Sequence, residues 1–314
     1  MNPPVQRKAQ RFVPRIAAVV ILLCPGIAVA QLGQLQTLDY PGFPVTRLVP
    51  TNASILLCGG HNVASCDPQS FAIESLVELS DERIAVAAII GDKLIVAGTR
   101  DHDAGFAAAF PFNSTTRWWT AKVPAPVTCM QLTNDGILLG DEAGELHWLS
   151  PDDGTLLRSN GLHAKMVTAL SVIDDRLCAS ADWGGKIQIF DHRDGNVVVD
   201  FQQHRDRVVE LLVDSSGSPR RLYSAGRDGT VRLWYPEQGR LVRFVQLEHP
   251  VTSIASSDDG QLWVATSDAK LHLVDMNSAK LLSTMESTLD YVHCTASFGG
   301  RLFLSNGRST LKHN

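Results

Sequence analysis

Ser224-Ala225-Gly226-Arg227-Asp228-Gly229-Thr230-Val231-Arg232-Leu233-Trp234 holds a tight turn, Arg227-Asp228-Gly229, between two short apolar runs. After the turn, Val231 and Leu233 alternate with Arg232, a period of two that puts successive side chains on opposite faces of a β-strand. Before it, Arg221-Leu222-Tyr223-Ser224-Ala225 reads as the other arm of a hairpin.

Working outward, the same grammar recurs along the chain. β-Branched segments begin at Val45, Val86, Val127, Val167, Val208, Val251 and Val292, at intervals of 41, 41, 40, 41, 43 and 41 residues. Four of the seven starts continue as Val-Thr, at Val45-Thr46, Val127-Thr128, Val167-Thr168 and Val251-Thr252. Polar turns such as Asn134-Asp135-Gly136 and Asp258-Asp259-Gly260 follow, then second runs such as Ile137-Leu138-Leu139 and third runs such as Lys186-Ile187-Gln188-Ile189-Phe190. A unit of roughly 40 residues with several short strands is the size of one four-stranded propeller blade. The expectation is an all-β, seven-bladed β-propeller with blade starts near 45, 86, 127, 167, 208, 251 and 292.

The stretch from Ser224 to Trp234 resembles the strand b to strand c signature of the WD40-repeat family, and His204 stands where that family's Gly-His dipeptide places its histidine. The resemblance implies a buried relay from Trp234 through Ser224 and His204 to Asp228 that ties the blade together. Other units match less fully. The sixth offers His249, Asp268 and Val274-Asp275. The fourth has His163, Ser180 and Phe190-Asp191, with Gly184 at the Asp position, and the third has Trp148 with Glu142 near that position. The remaining units match mainly by period.

Only 23 residues run from Val292 to Asn314, enough for strands at 292–294, 302–304 and 310–312 but not for a fourth. Gln34-Leu35-Gln36-Thr37-Leu38 is expected to supply the outer strand, closing the last blade with the mature N-terminus. Closure removes the open edge that a ring would otherwise expose.

The first 30 residues read as a signal peptide. Arg7, Lys8, Arg11 and Arg15 precede an apolar run from Ile16 to Val29 that ends in Ala28-Val29-Ala30, an A-x-A cleavage pattern. The run is shorter than a membrane span of ~20 residues and is interrupted by Pro25-Gly26. Domain limits are therefore 1–30 for the leader and 31–314 for the propeller. The expected compartment is exported, periplasmic or extracellular, or an organelle lumen in a eukaryote. Membrane attachment is expected only if the leader stays uncleaved. Loss of the leader removes four basic residues and no acid, taking the net charge from −5 to −9. Such acidity argues against a nucleic-acid partner, which would require a basic face.

Five cysteines follow the leader: Cys58, Cys66, Cys129, Cys178 and Cys294. In an oxidising compartment Cys58 and Cys66, which flank Gly59-Gly60-His61-Asn62, could form a disulfide, with buried thiols as the alternative; the other three read as small buried residues. His204, Ser224 and Asp228 have the residue types of a hydrolase triad, but no G-x-S-x-G turn presents the serine. H-E-x-x-H and C-x-x-C are absent, so neither a metal nor a cofactor is expected.

Function is thus expected from a surface rather than from catalysis, and the chain is expected to be a monomer that is not an enzyme. In propellers resembling this one, partners dock on the face bearing the d–a and b–c loops around the central channel. Here that face would include Trp183, Arg227 and Ser267, with Lys165, Arg205 and Arg207 on neighbouring loops, offering a site for a protein or peptide. The alternative is a ligand-binding or catalytic propeller, of quinoprotein or lyase type, with its site in the channel.

Overall fold

A computed structural model describes residues 17–22, 35–39, 43–112, 114–214, 219–256, 261–287 and 289–307. Six four-stranded antiparallel blades are each formed by one uninterrupted meander, spanning residues 47–78, 83–123, 127–161, 167–202, 208–246 and 251–286. They are numbered I to VI below. Within each, the first strand lies innermost, at the channel, and the fourth lies at the rim.

The expected count of seven is corrected to six such blades, followed by the segment after Val292, which shares its sheet with strands from elsewhere in the chain. Its described strands are Cys294–Phe298 and Arg301–Ser305. They belong to a composite closing sheet in which Ala17–Leu22 pairs with Arg301–Ser305, and Leu35–Asp39 pairs with Ala17–Leu22 at the outside. The expected closure by a mature N-terminal strand alone is therefore also corrected: the third strand comes from the segment read as leader. The strand expected at 310–312 lies outside the described residues.

Successive sheets bury both faces against each other. An apolar cluster fills each gap, as where Leu56, Val63 and Val77 of blade I meet Leu94, Phe106 and Phe110 of blade II, and where Ile187, Ile189 and Phe201 of blade IV meet Leu222 and Trp234 of blade V. Phe201 and Trp234 have ring centroids 4.4 Å apart. The ring closes where Cys294, Ala296 and Phe303 pack on Phe43, Val45 and Ile55, and Ser305 Oγ donates to the Val45 carbonyl at 2.6 Å.

The Val-Thr repeat has a physical cause. In blades III to VI the inner strand carries a β-bulge immediately after this valine, between Val127 and Cys129, Val167 and Ala169, Val208 and Glu210, and Val251 and Ser253, and in blade II one stands just before it, between Ile84 and Val86. The bulged residue is left out of the ladder, and in blades III and IV, where it is Thr128 and Thr168, its hydroxyl reaches the next blade. Thr128 Oγ1 donates to the Val167 carbonyl at 2.5 Å, and Thr168 Oγ1 to the Val208 carbonyl at 2.6 Å. Val209 has no hydroxyl to continue the series. Glu210 takes over one residue later: its Oε2 accepts from Ser253 Oγ and from the Ile254 amide, both at 2.8 Å, while Ser253 Oγ accepts from the Thr295 amide at 3.0 Å.

Each of the four blades III to VI holds a histidine relay, in differing arrangements. In blade V, Trp234 Nε1 donates to Ser224 Oγ at 2.9 Å, Ser224 Oγ donates to His204 Nε2 at 2.7 Å, and His204 Nδ1 donates to Asp228 at 3.1 Å. Blade IV keeps Ser180 and His163, but Asp182, not residue 184, accepts from His163 Nδ1 at 3.1 Å. The carboxylate has moved two residues along, to the position of Gly226 in blade V. A Cβ there would stand 2.4 Å from His204 Nδ1 and 2.6 Å from Asp228 Oδ1, so only one of the two positions can carry the acid.

In blade III the acid is Asp141 rather than Glu142, and the histidine shifts to the third strand, where His147 bridges Asp141 Oδ2 and Ser159 Oγ, each at 2.8 Å. His272 of blade VI does the same between Thr266 and Thr284. His249 is half exposed and stands 3.6 Å from Asp268.

Burial disfavours the charged form of Asp228, but hydrogen bonds from His204, Thr230 and the Arg205 amide outweigh it and hold the carboxyl well below the usual range. A carboxyl so depressed stabilises the fold above its unfolded pKa near ~4, and that stability is lost as the pH falls through the folded value. Asp228→Ala is accordingly expected to cost about 1–3 kcal/mol at neutral pH by orphaning His204, with the deficit shrinking in acid. Urea unfolding of both proteins at neutral and acid pH measures this.

Candidate functional site

The turns between the second and third strands of blades III to VI each bring one residue to the upper face. Glu142, Trp183, Arg227 and Ser267 each donate their backbone N–H to a carbonyl just ahead of the inner strand, of Pro126, Met166, Arg207 and Pro250 respectively, at 2.9–3.0 Å. The turn itself requires glycine: at Gly185, with φ +88°, a Cβ would lie 2.5 Å from the His204 carbonyl oxygen. Trp183 is 45 % exposed on this face, and Arg207 stacks on it with its guanidinium carbon 4.5 Å from the ring centroid. Lys165 lies beside Gly184, beneath the same turn. Arg205 is exposed next to Asp228, and Ser267 holds the equivalent turn position in blade VI.

Arg207 and Arg227 border a cavity of about 260 Å³ at the channel mouth, whose lining also includes Arg47, Glu210, Thr252 and His293. Of the sequence-derived candidates, Arg207 and Arg227 line it directly, and Trp183 joins it through Arg207. Lys165, Arg205 and Ser267 are not among the lining residues. Arg47, Glu210, Thr252 and His293 were not anticipated from the sequence, where the inner segments read as Val, Thr and Ala. Their signal lies in columns of the repeat. One residue after the repeating valine stands Thr, Ala or Val except at His293, and two after it the charged residues are Arg47 and Glu210.

The electrostatics of the cavity are lopsided. Burial, and after it Arg227, pushes the Arg207 guanidinium below its ordinary pKa. Burial likewise lowers His293, helped by Arg207 and Arg47. Glu210, the lining acid, is driven upward by burial, against the pull of its hydrogen bonds and of Arg47. Among the described residues, none of Arg47, Arg207 and Arg227 is in an ion pair. Two buried polar atoms of the lining residues have no hydrogen-bond partner there: Arg207 Nε and Thr252 Oγ1.

Other chemical groupings belong to the scaffold. Glu82, buried, is gripped by Arg100 and Arg117, whose hydrogen bonds, Arg117's first, lower its pKa against the cost of burial. Asp141, Glu145 and His147 bring ligand-type atoms within 4.8 Å of one another. Yet Asp141 Oδ1 already accepts from the Ala143 and Glu145 amides at 2.9 and 2.8 Å, and blade VI repeats the histidine bridge without the acid at that position. Cys58 and Cys66 are free buried thiols, which corrects the possible disulfide. They sit on adjacent strands opposite Val63 and Ile55 respectively. Cys66 packs toward the closing sheet and Cys58 toward blade II, and burial pushes their thiols up to about 11 and about 12.

Because a carboxyl raised by burial contributes stability below its unfolded pKa and loses it as pH rises through the folded value, the charge on Glu210 is dispensable to the fold while its acceptor oxygen is not. Glu210→Gln is expected to unfold in urea at or above the wild-type midpoint at neutral pH. Glu210→Ala, which orphans the Ser253 hydroxyl and Ile254 amide, should fall by about 1–3 kcal/mol. Equal losses in both variants would show that the fold needs the charge.

Comparisons with known proteins agree with this architecture. The family described as "WD domain, G-beta repeat" matches residues 195–235 and 241–275. Protein ROOT INITIATION DEFECTIVE 3 of Arabidopsis thaliana is 23 % identical over 174 residues, covering 51 % of this chain and 40 % of its own. The tRNA (guanine-N(7)-)-methyltransferase non-catalytic subunit wdr4 of Danio rerio is 30 % identical over 165 residues, covering 47 % and 38 %. The chain thus spans less than half the length of either relative. The crystal structure of the WD40 beta propeller domain of Doa1 superposes with a TM-score of 0.71 at 14 % identity, covering 84 % of this chain and 90 % of that one. The two matched repeats fall in blades IV to VI, and the ring of four-stranded sheets has the fold of the WD40-type β-propellers.

Proposed function

We propose that this protein is a non-catalytic scaffold that binds a protein or peptide through the upper face of the propeller, in an exported compartment. WD40 proteins are typically protein-interaction scaffolds and generally not enzymes. The observation that carries the reading for this chain is the exposed Trp183 stacked on Arg207 at the rim of a cationic cavity. Tryptophan and arginine, rigid and able to pair apolar contact with hydrogen bonding, dominate the binding energy of protein interfaces. At about 260 Å³, the cavity falls below the ~300–1,000 Å³ of small-molecule pockets, a size that suits one side chain of a larger partner. Catalysis finds no support in the histidine relays, which vary their acid from blade to blade while keeping the fold. Among the described residues no helix is long and apolar enough to cross a membrane.

Affinity capture from the native host should recover a partner with the wild-type protein and lose it with an Arg227→Glu, Trp183→Ala double variant of unchanged melting temperature. Capture unaffected by the variant would move the interface off this face, and failure to capture any protein would overturn the scaffold reading.

Export rests on the basic and apolar leader with its Ala28-Val29-Ala30 pattern. N-terminal sequencing of protein recovered from the host should begin at Gln31. Cleavage there removes Ala17–Leu22 from the closing sheet, so a chain beginning at Met1 would refute cleavage and keep that strand paired with Arg301–Ser305.

A further inference from the structure

Resting on that reading, the geometry points to the chemistry of the partner: the channel-mouth cavity takes a single anionic side chain, carboxylate or phosphate, projecting from an extended protein segment that lies across Trp183. Arg47, Arg207 and Arg227 converge on the cavity from three separate segments of the chain, and among the described residues none of them is neutralised by a neighbour. Arg47 and Glu210 both line its wall, but Glu210 cannot serve as counter-ion to all three. Its Oε2 is already committed to Ser253 and Ile254.

Two further observations place an acceptor there. Arg207 Nε and Thr252 Oγ1 are buried without partners, and buried donors are ordinarily satisfied. An oxyanion entering the cavity would supply acceptors for both, and its charge would meet the guanidinium groups in the short, charge-assisted bonds that arginine forms with carboxylates and phosphates. The threonine series that stitches blade III to IV and IV to V is interrupted at Val209, and Thr252 is the member left unpaired, so the unsatisfied sector of the ring and the cationic sector coincide. The patch stands out against a chain of net charge −5. Trp183, its indole already engaged on one face by Arg207, offers the rest of its surface to the flanking residues of the segment.

The test uses immobilised nine-residue peptide pools whose central residue is Glu, phosphoserine, Gln or Lys and whose other positions are equal mixtures of Ala, Leu, Ser and Gly. Wild-type protein should be retained at least ~10-fold more by an anionic pool than by the Gln or Lys pools, a ratio equal to ~1.4 kcal/mol. Retention by the Glu pool identifies a carboxylate and retention by the phosphoserine pool a phosphate ester. Arg207→Gln and Arg47→Gln, each checked for an unchanged melting temperature, should each erase the preference. Equal retention of all four pools, or a preference that survives both variants, would overturn the inference. If that happens while native capture remains sensitive to the Arg227→Glu, Trp183→Ala double variant, the scaffold reading stands and the anionic anchor alone fails.

Discussion

A sheet in this ring is buried on both faces, and every other feature follows from that constraint. Each inner strand must run beside two others while its blade packs against two neighbouring sheets, so apolar side chains are needed on both faces of the middle strands. Ile55 through Cys58 and Ile137 through Leu139 are fully or almost fully buried. Alternation survives only toward the rim, as in Leu156–Gly161, where one face meets water. Dispersion and apolar burial hold the blades together, while hydrogen bonds fix how they sit. The bulged threonines and the Glu210–Ser253–Thr295 chain are two ways of joining one blade's inner strand to the next. The second appears where the first lacks a hydroxyl.

The histidine relays show how far such a network can drift without loss of architecture. What is retained is an imidazole with both nitrogens satisfied, buried in blades III to V and half-buried in blade VI; what changes is which strand carries the ring and which residue supplies the acceptor. Asp228 and Asp182 answer the same need from positions two residues apart, and Gly226 and Gly184 are the vacated places. The interblade packing does not sense this exchange, because it is confined to the upper ends of the strands.

That separation explains what could be read from the sequence. The blades were legible because apolar alternation and turn chemistry recur at a fixed period, and the relay of blade V because Trp234, Ser224, His204 and Asp228 retain the spacing of the family signature. Asp182, Asp141 and His147 escaped because the signature was sought at one register, whereas hydrogen bonding tolerates another that places the same groups in contact. Trp183, Arg207 and Arg227 were found from their loops. Arg47 and Glu210, some 160 residues apart, become neighbours only when the ring closes, and no local pattern marks that meeting. The composite closing sheet was missed in part for a similar reason: a strongly apolar segment such as 17–22 satisfies the description of a leader and of a β-strand equally well.

The same closing sheet sets an order of events for folding. Its bond from Ser305 Oγ to the Val45 carbonyl spans 260 residues, and the logarithmic law of loop closure puts the entropy of joining such distant points at about 5 kcal/mol if nothing intervenes. Each blade is a local meander that can form as it is synthesised, and each successive blade shortens the gap still to be closed. The two strands at the start of the chain are made first and can pair only with each other until Arg301–Ser305 emerges. The joint is therefore the last part of the ring to be completed and, resting on the pairing of distant segments, the first from which it can reopen.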